Sequence, residues 1–313
     1  MSLIRLHMVT PGGLERVADC SHSYIRNRED ADLEFTRGFY VHFDHIARIL
    51  NMIAREGDRS RFSADVLAGA TGLSADQAST QARIATAMGL LAPRSYRSMA
   101  FGELVAERDI FFEDLGTLWM CHYAMSASPR RLIWNHLTNC LLPATGTTSL
   151  EQIRTTLIPL ASFWSANTWR NKLRQEVNSF FNAYTEQSFR RLRYLYKTDN
   201  GTYTLTHSPA PVPLGAFLAI LLLYRDRFQP GASGLEVPAI CTADHSPGRL
   251  LHLGETQVRA LLDKLHEAGQ LTIEAKANLD QVRFRPGQSW LTAMQSYFDN
   301  GTLIEVFSPA LGP

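Results

Sequence analysis

The chain has 313 residues, 45% of them hydrophobic, which is room for roughly two domains with sizeable cores. Its 31 Lys+Arg balance 30 Asp+Glu to a formal +1, which excludes a globally basic nucleic-acid coat but leaves room for local patches. Cys20, Cys121, Cys140 and Cys241 lack CxxC spacing, so reduced thiols are expected rather than a disulfide framework.

Residues 1–34 are weakly periodic, with a charged turn at 27–32, and are expected to form an N-terminal arm. Arg5, His7 and Pro11-Gly12-Gly13 do not make a signal peptide. The longest apolar run, Leu214 to Leu223, is about half a membrane span, so a cytoplasmic protein without a membrane partner is expected.

Residues 35–98 read as a winged-helix-like domain. Phe43, Ile46, Ala47, Leu50, Ile53 and Ala54 trace one helix face. Between Ser63 and Leu91 two short helices flank Thr71-Gly72-Leu73, where Gly72 permits a left-handed turn. Ser74 and Gln77 form a capping box, and Gly89 ends the second helix. This is a helix-turn-helix, and the stretch after Pro93 with Tyr96 supplies a short wing.

Residues 99–230 read as a helical middle domain. From 101 to 128 five acids face one Arg, and Leu118, Trp119, Cys121 and His122 sit on a buried helix. From 129 to 197 ten basic residues face three acids, and Leu173, Val177, Phe180, Phe181 and Tyr184 line one helix side. Tyr203-Thr204-Leu205 reads as a strand, and Leu214 to Phe228 as a central apolar helix.

Residues 231–313 read as a second winged-helix-like domain. Val258, Leu261, Leu262, Leu265 and Ala268 form a helix face stopped by Gly269. Leu271 and Ile273, then Val282 and Phe284, alternate about a turn at 278–280, the pattern of a hairpin. Pro238, Pro247 and Gly248 interrupt the helix expected before it. The fold class expected is mainly α, with winged helix-turn-helix modules at both ends of a helical middle region.

Three groups of residues are candidates for DNA contact. Gln77, Thr80, Gln81 and Arg83 lie on the second helix of the first module, where Gln and Thr can read base edges but cations are scarce. Gln257, Arg259 and Lys264 lie on the last helix of the second module, with Lys276 and Arg283 on its hairpin, interleaved with acids that suit a solvated face equally well. Arg170, Lys172 and Arg174, then Arg190, Arg191 and Arg193, have Trp169, Tyr194 and Tyr196 as aromatic neighbours and resemble a phosphate-tracking surface. The alternative for this group is neutralisation of the acidic 101–128 stretch, within the protein or across a homodimer.

No Gly-rich phosphate loop, Ser elbow or Cys-His motif is present, and a non-enzymatic protein is expected. Cys121, His122, His136 and Cys140 have zinc-ligand types, but adjacent Cys121 and His122 diverge on a helix, and buried packing accounts for them. His42 and His45 read as surface or packing residues. Glu113 and Asp114 read as acids at a helix start. No metal or cofactor is expected.

Gly102, Asp109, Glu113, Asp114, Thr117, Leu118, Trp119, His122 and Tyr123, with the later Ser246-Pro247-Gly248-Arg249, form a pattern that resembles the uncharacterised bacterial family "domain of unknown function 4007", over about residues 35 to 285. One departure is Gly38-Phe39-Tyr40-Val41-His42, where the family has a His-Glu-Thr-Phe segment. Such proteins resemble accessory components of anti-phage islands, encoded near sulfur-transferring DNA-modification genes. The resemblance implies an accessory component and carries no catalytic residue; taken with the three candidate surfaces, the expectation is a DNA-binding or DNA-targeting subunit that contacts double-stranded DNA beside other defence or modification subunits. A protein-interaction adaptor and a transcriptional regulator are the alternatives.

Overall fold

The computed structural model describes residues 25–57, 61–276 and 279–300, with His22 and two short strand segments before them. Those segments, β1 (Val9–Thr10) and β2 (Gly13–Leu14), pair antiparallel.

Three helices then pack together: α1 (Phe43–Glu56), α2 (Ala64–Thr71) and α3 (Ala75–Ala87). Ser63 caps α2, and Gly72 turns the chain at φ 72° into α3. Ser74 and Gln77 close the expected capping box. The stretch after Pro93 forms a tight turn closed by one bridge, Leu91 to Ser98, in place of a stranded wing. α4 (Ala100–Arg108) follows and packs on α1.

α5 (Leu115–Ser126) is buried from Gly116 to Ser126, as a helix apolar on every side must be. α6 (Leu132–Asn135), a π-helical segment (His136–Leu141) and α7 (Leu142–Thr145) form one continuous buried rod. β3 (Thr147–Thr148), α8 (Leu150–Leu157) and a 3-10 segment (Ile158–Phe163) lead to α9 (Ala166–Thr185). After a 3-10 turn (Arg190–Leu192), β4 (Leu195–Lys197) and β5 (Tyr203–Leu205) complete an antiparallel sheet in the order β3-β5-β4. The expected strand at 203–205 is β5.

α10 (Leu214–Phe228) occupies the span expected for the central helix and packs against α5 and three later helices. β6 (Gly234–Glu236), α11 (Val237–Thr242), α12 (Pro247–Leu250), α13 (Glu255–Glu267), β7 (Leu271–Lys276) and β8 (Leu279–Phe284) come next. The sheet order is β6-β8-β7, with Ile273 opposite Val282. Leu279 and Asp280, expected in the turn, belong to β8, where they pair with Lys276 and Ala275; residues 277 and 278 lie outside the described residues. Pro238 and Pro247 stand in the first turns of α11 and α12, where a missing N–H costs nothing, so they start helices instead of interrupting one. α14 (Trp290–Asn300) returns to pack on α10 and α4.

The chain is therefore mainly helical with small antiparallel sheets, and one continuous hydrophobic core runs from Ile25 to Tyr297. Among the described residues no helix is long and apolar enough to cross a membrane.

Candidate nucleic-acid interface

α9 places the strongest cationic surface. Ser165 caps it by accepting from the Thr168 amide at 3.2 Å, and Leu173, Val177, Phe180, Phe181 and Tyr184 bury its apolar side. One flank is covered by the chain between residues 34 and 43. Lys172 pairs with Glu34 at 3.2 Å, and the Glu176 carboxylate Oε1 accepts from the Thr36 amide, the Thr36 hydroxyl and the Arg37 amide. The Ser179 hydroxyl donates to Phe39 O, and the Ser188 hydroxyl to Val41 O.

What remains open on α9 is a face of Asn167, Arg170, Asn171, Arg174, Gln175 and Asn178, all exposed. The helix's one acid, Glu176, is buried; Glu34, its side chain 37% exposed, sits against Lys172 on one flank, and Glu186 is exposed just past the helix end. Arg170 and Arg174 stand one turn apart, about 6 Å along the axis. Beyond the helix, Leu192 and Tyr194 are buried and leave Arg190, Arg191 and Arg193 pointing outward, with Arg193 in the left-handed region at φ 48°. None of these five arginines makes an ion pair among the described residues, so within the chain they do not neutralise the 101–128 acids. Guanidinium, amide and no carboxylate is a surface that attracts phosphate and can hydrogen-bond base edges.

Beside the start of α9 a cleft of about 470 Å³, next to Trp164, is lined by Arg28, Arg37, Arg83 and Arg130 and by Glu29, Asp32 and Glu34, with Arg28 paired to Glu34 and Arg83 to Asp32. Arg37 and Arg130 make no ion pair among the described residues. Nothing in the sequence brought them to this face, because the contacts that do so are long-range: the Asp32 amide donates to Arg130 O, and the Arg37 amide to Glu176. Trp164 stacks on the half-buried Trp169 at 5.4 Å.

The other candidates are occupied. Thr80 and Gln81 are buried in the core, and Gln81 holds Tyr40 O at 2.7 Å and the His42 amide at 3.2 Å, so neither faces a groove. Arg83 pairs with Asp32 at 2.8 Å. Gln77 and Gln257 spend their carbonyls on the helix-start amides of Ser74 and Gly254. Arg259 bridges Glu255 and Asp280 at 2.9 and 2.6 Å, which raises its pKa further above the usual guanidinium value. Arg283 pairs with Glu274 at 2.6 Å. Lys264 is half-buried and has a contact of its own. The Lys276 side chain lies outside the described residues.

The acidic stretch is built differently from a catalytic site. The Asp109 carboxylate accepts from the Glu113 amide at 2.7 Å and the Asp114 amide at 3.1 Å, and burial pushes its pKa up. Asp114 caps α5 at Thr117 N and accepts from the Tyr297 hydroxyl at 2.8 Å. His122 is buried with Nε2 at 2.8 Å from Leu250 O, so that nitrogen carries the proton and Nδ1 accepts from the Tyr184 hydroxyl. Burial holds the pKa of His122 down at about 4. The neighbouring Cys121 thiol is pushed up by the same burial. His122 and Cys121 are thus packed and engaged, as the simpler reading had it.

A sequence profile described as "Protein of unknown function (DUF4007)" matches residues 85–298. The chain belongs to that family. The residues behind the resemblance hold the fold. A Cβ on Gly102 would overlap the carbonyl oxygen of Leu90, and one on Gly248 would lie 2.6 Å from Cys241 O. Trp119 donates to Pro211 O at 3.2 Å, and the Tyr123 hydroxyl donates to His245 O at 3.0 Å. Ser246 caps α12, and Arg249 pairs with Asp244. No curated protein matches the sequence. Two solved structures are similar: a magnesium ion-bound SspB crystal structure, at TM-score 0.69 and 12% identity over 92% of this chain and 93% of that one, and an SspB crystal structure, at TM-score 0.68 and 14% identity over 85% and 88%. At these identities the likeness is one of fold.

Proposed function

We propose that this protein is a non-enzymatic, DNA-targeting subunit of a bacterial defence or DNA-modification system, acting in the cytoplasm beside partner subunits. The observation that carries the reading is the open α9 face, where unpaired Arg170 and Arg174 stand among amides with no exposed acid along the helix, together with exposed, unpaired Arg190, Arg191 and Arg193 beyond its end. Phosphate contact then comes from Arg170, Arg174, Arg190, Arg191 and Arg193. In this reading the units at 43–98 and 234–284 are winged-helix modules that serve mainly as scaffold, since their expected base-reading residues are spent on caps, packing and ion pairs.

A titration of labelled duplex with the purified chain at two salt concentrations tests this. Tight binding that weakens steeply with salt is expected, because phosphate contacts release counterions. No binding at low salt would reject it.

A partner-subunit face is favoured by one further observation. Met99, Glu103, Glu107 and Phe111 follow each other four residues apart along and past α4, all exposed, and Phe111 is 74% exposed. An acidic stripe ending in an aromatic repels DNA and suits a basic protein with an apolar pocket.

A further inference from the structure

Away from the α9 face, two histidines meet where the N-terminal segment reaches the π-helical segment. His22 Nε2 lies 3.0 Å from His136 Nδ1, and the ring centroids are 5.0 Å apart. The tautomer of His136 follows from its other nitrogen. Nε2 is 2.8 Å from Thr156 Oγ1, and the one hydroxyl proton of Thr156 goes to Ile153 O at 3.0 Å. Thr156 Oγ1 therefore accepts, Nε2 carries the proton, and Nδ1 presents its lone pair toward His22. A histidine with one nitrogen donating to a fixed oxygen and the other aimed outward is oriented as metal ligands are.

The spacing fits as well. Two nitrogens on one tetrahedral zinc ion, each about 2.0–2.1 Å from it, stand about 3.3 Å apart, close to the 3.0 Å found here, so an ion enters once the two rings turn their nitrogens toward a common point. Cys140 follows His136 by four residues in the same buried segment, the spacing at which one helix offers two ligands to one ion. Among the described residues no three such donors are already gathered round one point. His22 and Cys140 each make a further contact besides those named. In the sequence Cys20 stands two residues before His22 and lies outside the described residues.

We propose that His22 and His136 are the nitrogen ligands of a zinc-class divalent ion, with thiolate supplied by Cys140, and that the ion ties the N-terminal segment to the helical middle. Imidazole and thiolate select zinc over magnesium, which takes oxygen ligands. The set differs from Cys121, His122, His136 and Cys140, of which Cys121 is buried on α5 and His122 is held by Tyr184 and Leu250 O. The role is structural and does not rest on DNA binding.

The test uses the full chain without an affinity tag, purified from zinc-sufficient medium. Metal per chain is measured by mass spectrometry, and the zinc is replaced by cobalt(II) for absorption spectroscopy. About one zinc per chain is expected, with intense visible bands of tetrahedral cobalt and a thiolate charge-transfer band. His22→Gln, at a half-buried position, should lower the metal content at least tenfold, and Cys140→Ser should remove charge-transfer intensity. Circular dichroism establishes that each variant is folded. A folded wild-type chain without zinc and without a cobalt spectrum overturns the proposal, as does metal retained undiminished in both variants.

Discussion

Replacing Arg170 and Arg174 together by Ala removes two of the five unpaired cations and changes little else. Both are exposed on α9 with no ion pair among the described residues, and Ala is the better helix former, so the fold should keep its stability within about 0.5 kcal/mol. Each phosphate contact contributes about 0.9 to the slope of log K against log salt, so at 0.1 M salt two contacts are worth roughly 60-fold in affinity. With five contacts, raising salt from 50 to 200 mM should weaken the wild type about 500-fold, and the double variant with three contacts about 40-fold. Fluorescence anisotropy of a labelled duplex across four salt concentrations gives both slopes. Lys172→Ala is the internal control, because its ammonium is already held by Glu34 at 3.2 Å and should matter less. If the double variant is folded and keeps the wild-type slope, the α9 face does not touch phosphate and the argument from unpaired arginines is wrong.

Three further outcomes are expected from the buried groups. The Glu176 carboxyl is pushed up to about 8 by burial, so the folded chain holds a proton that the unfolded chain has lost above about 4.5, and stability should fall as pH rises from 4.5 to 8. Glu176→Gln should flatten that slope in urea melts taken at pH 5 and pH 8. His122 works in the opposite sense: its pKa of about 4 means the unfolded chain binds the extra proton first, so stability is lost as pH falls from 6.5 toward 4. His122→Ala leaves Leu250 O and the Tyr184 hydroxyl without their partner and should cost about 3–5 kcal/mol at pH 7 by chemical denaturation. Gly102→Ala forces a methyl onto the Leu90 carbonyl and should cost about 3 kcal/mol, visible as a lowered Tm.

Elements were more legible in the sequence than surfaces. α3, α10, α13 and the β7–β8 hairpin follow directly from apolar periodicity, Gly stops and capping pairs, which are local signals. The candidate site was read less well for a physical reason: a glutamine three residues past a helix start and a glutamine aimed at a base look alike in sequence. Gln77 and Gln257 are capping residues. Gln81 is buried by the segment around Tyr40, a contact 41 residues away that no periodicity announces. Arg83, Arg259 and Arg283 found carboxylates 51, 21 and 9 residues distant. The α9 arginines were legible because their neighbours on the helix are amides, so no local acid competes for them.

This difference also bears on what family membership transmits. Gly102 and Gly248 mark places where backbones touch, Asp114 fixes α14 to α5 through Tyr297, and Tyr123 and His122 fix α5 to the 245–250 stretch. The two glycines are local close approaches, the three hydrogen-bonding residues are long-range fasteners between the middle of the chain and its last third, and losing any one leaves a buried polar group unmet or a backbone displaced. A pattern made of fasteners persists as long as the architecture does, whatever the protein binds. The α9 face holds none of the pattern residues, and substituting an arginine there costs the fold almost nothing. If α9 is the binding face proposed above, its specificity can change while the signature stays intact, and the residues that define the family then report the architecture and not the ligand.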